Sequence, residues 1–160
     1  MGKMIELKTS DGKTIDAYRA EPAGKPRGAM IVIQEIWGVN RHIRKVADGY
    51  AAEGYVAIAP ALFDRIRRGI EIGYSMADIQ EGFGYKSAIK TEDALADIAA
   101  AVKTGASHGK VGIVGFCWGG GVVGRTAAAD PTLSPADRRL RAWRGLSRVL
   151  LAANEFVFVE

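Results

Sequence analysis

Histidine, cysteine and long apolar runs are all scarce in this 160-residue chain, and each scarcity narrows what the protein can be. A single cysteine, Cys117, forms no internal disulfide, and a lone thiol fits a reducing compartment. No apolar run approaches the roughly 18 to 20 residues that a membrane span needs. The N-terminus, MGKMIELKTSDGK, has no segment resembling a secretory signal. These absences predict a soluble, cytoplasmic protein with no membrane partner. Lysine is absent after Lys110, yet residues 125 to 150 carry six arginines against Asp130 and Asp137. That segment holds the whole net charge of +4, because the rest of the chain has 16 basic and 16 acidic residues. With no recognisable binding motif behind the basic tail, no nucleic-acid partner is expected.

What is present is an alternation of strand and helix patterns without internal repeats. IELKTSDGKTIDAYRAEP reads as a hairpin turning at Asp11-Gly12. AMIVI, YVAIAP and VGIVG are short continuous apolar runs of the kind buried on both faces of a parallel sheet. Asn40 can cap a helix whose apolar face is Ile43, Val46, Ala47, Tyr50 and Ala51, and Gly54 can end it. Residues 61 to 90 read as a surface excursion with a helix starting near Ser75. Thr91 then caps a helix with Leu95, Ile98, Ala99 and Val102 on one face, and a last helix runs from about Trp118 to Ala129. The predicted fold is α/β: a mainly parallel sheet flanked by helices, with an N-terminal hairpin.

Two strand ends carry chemistry. Gly115-Phe116-Cys117-Trp118-Gly119 has the form G-x-C-x-G between a buried strand and a helix, the nucleophile-elbow pattern with cysteine in place of serine. Placed there, the sulfur stands over the positive end of a helix, where the reactive thiolate is favoured, and the Trp118 N–H faces a developing oxyanion. The plainer reading of a lone cysteine is a small buried thiol. Glu35, in Gln34-Glu35-Ile36-Trp37-Gly38, ends the strand AMIVI, and such strand ends are where open α/β sheets build ligand sites. Its plainer reading is a solvated loop carboxylate. Gly115, Gly119 and Gly121 also admit a dinucleotide-binding turn. That turn comes too late in the chain for such a fold, and Phe-Cys-Trp is a poor phosphate cradle.

The segments QEIWGVNRHIRKVADGYAAEGYVAIAP, ALFDR and GKVGIVGFCWGG, in that order, resemble the dienelactone hydrolases (carboxymethylenebutenolidases) of the α/β-hydrolase superfamily. The resemblance covers about residues 1 to 124. It implies opening of a small-molecule lactone or ester through a thiol ester, with no cofactor and no metal. Cys117 would be the nucleophile, Glu35 would control its ionisation, and the backbone N–H groups of Trp118 and Ile36 would hold the oxyanion. An arginine would grip the substrate carboxylate, for which Arg65, Arg67 and Arg68 all stand open, each being equally readable as a solvated charge.

The resemblance also implies a catalytic aspartate and histidine after the elbow. None of the 43 residues after Cys117 is histidine, and His42 and His108, both upstream, read as surface residues. The chain is therefore expected to divide into a partial hydrolase domain, 1 to 124, and an atypical arginine-rich tail, 125 to 160, that reads as a truncated or frame-shifted terminus. Acylation without efficient turnover follows, or else an incompetent fragment that acts only by association through its tail. Without further strands the elbow strand becomes an apolar sheet edge, open to cover by EFVFVE or by self-association.

Overall fold

Five strands and four α-helices follow one another in a computed structural model that describes residues 2–129 and Ser134. The arginines from Arg138 to Arg148 and the segment EFVFVE lie outside the described residues. Strands β1 (Lys3–Lys8) and β2 (Thr14–Ala20) form the expected hairpin, with Leu7 opposite Ile15 and Met4 opposite Tyr18. Next come β3 (Ala29–Ile33), α1 (Arg41–Ala52), β4 (Val56–Pro60) and a 3-10 turn (Leu62–Arg65). The chain continues through α2 (Met76–Ala88), α3 (Thr91–Ala106), β5 (Val111–Gly115) and α4 (Trp118–Ala129).

The sheet is mixed, in the order β1-β2-β4-β3-β5. Strands β4, β3 and β5 are parallel, as the apolar runs require, and the hairpin joins them through an antiparallel β2–β4 pairing. Crossing from β3 to β4 and back to β5 places the carboxyl ends of β3 and β5 side by side, with Ile33 level with Gly115. Among the described residues β5 ends the sheet and is only half-buried.

Each face of the sheet has its own core. Tyr18, Val32, Ala57 and Ala59 pack under Ile43, Ala47 and Ala51 of α1, the stripe expected for a helix capped by Asn40. The Asn40 side chain accepts hydrogen bonds from the N–H groups of His42 and Ile43, which fixes the first turn. On the other face Leu7, Ile15, Ile31, Ile33, Ile58 and Leu62 pack against Ile98 of α3 and Val122 of α4.

Helix α3 departs from expectation in two respects. Lys90, not Thr91, is the N-cap, and it makes no side-chain capping bond. The buried residues are Ala94, Asp97, Ile98, Ala100, Ala101 and Gly105, while Ala99 is exposed and Leu95 and Val102 are half-buried. Close approach explains the rotation, since a Cβ on Gly105 would lie 2.9 Å from the Ala29 side chain. The helix presents Ala94, Ala101 and Gly105 around Ile98 to the sheet and leaves Leu95 and Val102 half-buried.

Candidate active site

Strand β5 runs out at Gly115, and two residues later the chain adopts a conformation that L-residues avoid. Cys117 has φ 51°, the only non-glycine residue with positive φ among those described. A left-handed residue costs roughly 1 to 2 kcal/mol outside glycine, so the surrounding structure must impose it. The turn is closed by the Gly119 N–H donating to the Phe116 carbonyl at 2.8 Å and the Gly120 N–H donating to the Cys117 carbonyl at 3.1 Å. Cys117 is exposed at its apex, not the buried thiol of the plainer reading.

Both flanking glycines are required by space. A Cβ on Gly115 would sit 2.4 Å from the Gly119 carbonyl oxygen, and one on Gly119 would sit 2.5 Å from the Gln34 carbonyl and 2.8 Å from that of Ile33. The second contact also shows that the first turn of α4 rests on the end of β3. A Cβ on Gly121 would meet nothing within 4 Å. Gly119→Ala is therefore expected to lower stability by about 1 to 3 kcal/mol through overpacking against backbone. Gly121→Ala should be neutral or stabilising by up to about 1 kcal/mol. Urea unfolding of the two variants separates these outcomes.

The segment after β3 is locked from below. Gln34 is fully buried; its side-chain carbonyl accepts from the Leu62 N–H at 3.0 Å and its amide donates to the Glu35 carbonyl at 3.3 Å. Gly38 closes the loop at φ 79°, and a side chain there would strike the Ile70 carbonyl, 2.0 Å from the Cβ position. Ile36 is buried, with Gly82 of α2 packed directly on its carbonyl. Its own N–H has no hydrogen-bond partner among the described residues. Trp118 opens α4, so its N–H has no acceptor within the helix. Two backbone N–H groups on neighbouring segments thus have no acceptor among the described residues.

Glu35 is half-buried, and no side-chain hydrogen bond satisfies it among the described residues. Burial pushes its carboxyl above the ordinary range, while the charge of His42 pulls it back down. Sequence reasoning missed His42 as a neighbour of the site. The ring is exposed, as expected, but it meets Phe116 edge-on at 6.2 Å between centroids, immediately before the cysteine. The available signal was the cap: Asn40 starts α1 just past the strand end, so a residue two positions on cannot lie far from it. His108 lies before β5, where its Nε2 is 3.1 Å from Arg19.

Aromatic rings wall the site. Phe63, in the 3-10 turn, stacks on Trp118 at 5.4 Å and meets Tyr85 of α2 at 5.5 Å, and Trp37 contacts Tyr74 at 4.8 Å.

The three arginines fall into different surroundings. Arg65 is clamped: its Nε donates to both Asp97 oxygens at 3.1 Å, its Nη2 to Asp97 at 2.6 Å, and Nη1 pairs with Asp11. Arg68 pairs with Glu6 and Asp16, each at 3.0 Å. Arg67 alone of the three is exposed and unpaired among the described residues. Those residues contain no cluster of metal-ligating side chains and no helix long and apolar enough to cross a membrane.

The family description "Dienelactone hydrolase family" matches residues 15–136. A Synechocystis sp. protein provisionally named carboxymethylenebutenolidase is 41% identical over 115 residues, which are 68% of this chain and 47% of that one. The carboxymethylenebutenolidase of Pseudomonas putida is 32% identical over 130 residues, covering 78% and 55%. A crystal structure of a provisionally assigned dienelactone hydrolase from Klebsiella pneumoniae superposes with TM-score 0.67 at 34% identity, covering 82% of this chain and 56% of that one. The chain thus spans about half the length of the relatives it matches.

Proposed function

Because the chain belongs to the dienelactone hydrolase family, whose description spans the strand ends just described, we propose that it opens a lactone or ester by acyl transfer to Cys117. The observation that carries this reading is the exposed thiol at φ 51° in a glycine-walled elbow. Strain of that kind persists where it holds a reactive group in place.

The Cys117 thiolate attacks the carbonyl carbon, and the oxyanion forms against the N–H groups of Trp118 and Ile36. Collapse breaks the carbon–oxygen bond of the ring; the leaving oxygen takes up the proton that Glu35 received from the thiol, and the acyl group remains as a thiol ester. Glu35, two residues past the strand end level with Gly115, receives the thiol proton and so sets when the sulfur is nucleophilic. Water then attacks the thiol ester, releasing the carboxylic acid and restoring the thiol. Arg67 follows the turn whose Phe63 stacks on Trp118 and is the arginine left to meet a substrate carboxylate.

Attack by sulfur needs little help from a base, whereas water attacking a thiol ester does. No histidine follows Cys117 in the chain. These 160 residues on their own should therefore acylate readily and turn over at a residual rate. Mixing the chain with a dienelactone or an activated aryl ester tests this. A burst of about one equivalent, a near-stall, and an acyl adduct on Cys117 by mass spectrometry are expected. Sustained turnover would overturn the slow second step. Absence of both burst and adduct would favour the second reading, a catalytically silent chain, for which the lack of a downstream histidine speaks.

A further inference from the structure

Resting on the reading that the Ile36 N–H receives the oxyanion during acyl transfer to Cys117, we propose that Gly82 of α2 is a positioning residue of that donor: it seats the helix directly on Ile36.

An N–H that stabilises a developing oxyanion must be aimed before the charge appears, because its advantage is that nothing reorganises at that moment. Ile36 lies in a loop, so its N–H is aimed by the two peptide groups that meet at its Cα. The first, Glu35–Ile36, carries the N–H itself. A trans peptide is planar, with its C=O and N–H pointing in opposite directions, so fixing the oxygen fixes the hydrogen. The buried Gln34 side chain donates to that Glu35 carbonyl at 3.3 Å, and is itself held by accepting from the Leu62 N–H at 3.0 Å.

The second peptide, Ile36–Trp37, is held by α2. A Cβ on Gly82 would lie 2.5 Å from the Ile36 carbonyl oxygen, 3.2 Å from its Cβ and 3.3 Å from its carbonyl carbon, closer to these three atoms than to any others. Gly82 is also the one buried residue of α2; the others are exposed or half-buried, and Met76 and Phe83 stand open to solvent. Glycine inside a helix is unfavourable relative to alanine, so this position has a reason other than helix formation. Close approach to Ile36 supplies it. Gly84, on the same helix, has nothing within 4 Å of its Cβ position.

The same frame reaches the second donor. Phe63 follows the Leu62 that Gln34 holds; it stacks on Trp118 at 5.4 Å and meets Tyr85 of α2, three residues after Gly82, at 5.5 Å. Seating of α2 therefore bears on both residues whose N–H groups face the oxyanion.

Two reactions of Cys117 in the 160-residue chain test this. Acylation by p-nitrophenyl acetate builds an oxyanion at the carbonyl carbon. Alkylation by iodoacetamide displaces iodide from a saturated carbon and builds none. Both use the same thiolate, so the ratio of their rates reads the oxyanion site with thiol ionisation cancelled. Gly82→Ala pushes α2 and Ile36 apart by on the order of 0.5 to 1 Å to restore ordinary contact. It should slow acylation by about 10-fold, since a misplacement of about 1 Å costs up to roughly 10²-fold, and leave alkylation unchanged. Gly82→Val should lower the ratio further. Gly84→Ala, the same exchange on the same helix, should match wild type in both reactions. An unchanged ratio in Gly82→Ala and Gly82→Val overturns the role of Gly82 while acyl transfer to Cys117 stands. Equal slowing of both reactions overturns it too, because the damage then lies in the elbow and not in the oxyanion site. If the wild-type chain is alkylated but never acylated, the acyl-transfer reading fails and this inference fails with it.

Discussion

Cys117→Ala is expected to abolish the burst and the covalent adduct, lowering the acylation rate by at least about 10³-fold. The thiol is the chain's only sulfur nucleophile, and it is presented to solvent at the one left-handed non-glycine position described. Alanine keeps the turn and its backbone donors, so whatever rate survives measures the oxyanion site and binding alone. Cys117→Ser sharpens the result. A hydroxyl needs a base to attack and a thiolate does not. Glu35, the proton acceptor proposed for the thiol, is far too weak a base to activate a hydroxyl, and no histidine follows the elbow in these 160 residues, so serine should be nearly as inactive as alanine despite its almost identical shape. Stopped-flow release of an aryl leaving group, with intact-mass detection of the adduct, measures both variants. A serine enzyme approaching wild-type acylation would reveal a base stronger than Glu35 acting at the elbow.

The second large effect concerns stability. Arg65→Ala is expected to cost about 3 to 5 kcal/mol, because it leaves Asp97 buried without its counter-charge. Asp97 is fully buried on α3, and Arg65, itself 8% exposed, joins it to Asp11 in the hairpin turn and lies 3.7 Å from Asp93. Burial pushes the Asp97 carboxyl up and Arg65 pulls it back down, while Asp11, against the same guanidinium and the Thr9 hydroxyl, is held well below the ordinary range. The sign with pH follows. In the variant, Asp97 has a folded pKa raised above its unfolded value, so stability is present at low pH and lost as pH rises through the folded pKa. In the wild type, the Asp11 contribution is present above its unfolded pKa, near 3.8, and is lost as pH falls toward the depressed folded one. The gap between the two proteins should be widest near neutrality and narrow below about pH 4. Urea unfolding at several pH values checks this. Arg65→Met combined with Asp97→Leu should recover much of the loss, since an apolar pair of similar volume can replace a buried ion pair.

That network also shows where sequence reading stops. Arg65 was one of three equivalent candidates for gripping a substrate carboxylate, because a cluster of arginines in an irregular segment carries no information about its partners. Those partners lie 32 and 54 residues away on α3 and in the hairpin turn. His42 is the converse case. Its position on an exposed helical turn was legible from the Asn40 cap, yet its contact with Phe116 required β3 and β5 to be neighbours.

The local elements were determined by the sequence itself: the hairpin at Asp11-Gly12, the parallel runs of β3, β4 and β5, the α1 stripe, the capped start of α2 at Ser75, and the elbow around Cys117. Each rests on forces acting within a few residues, such as side-chain periodicity, capping of free N–H groups and the crowding that admits only glycine at 115. The strand order, the rotation of α3 onto its buried face, the saturation of Arg65 and the contact of His42 with Phe116 were decided only by tertiary structure. These depend on how close distant segments approach, and steric fit, burial and charge act through space, where separation along the chain carries no weight.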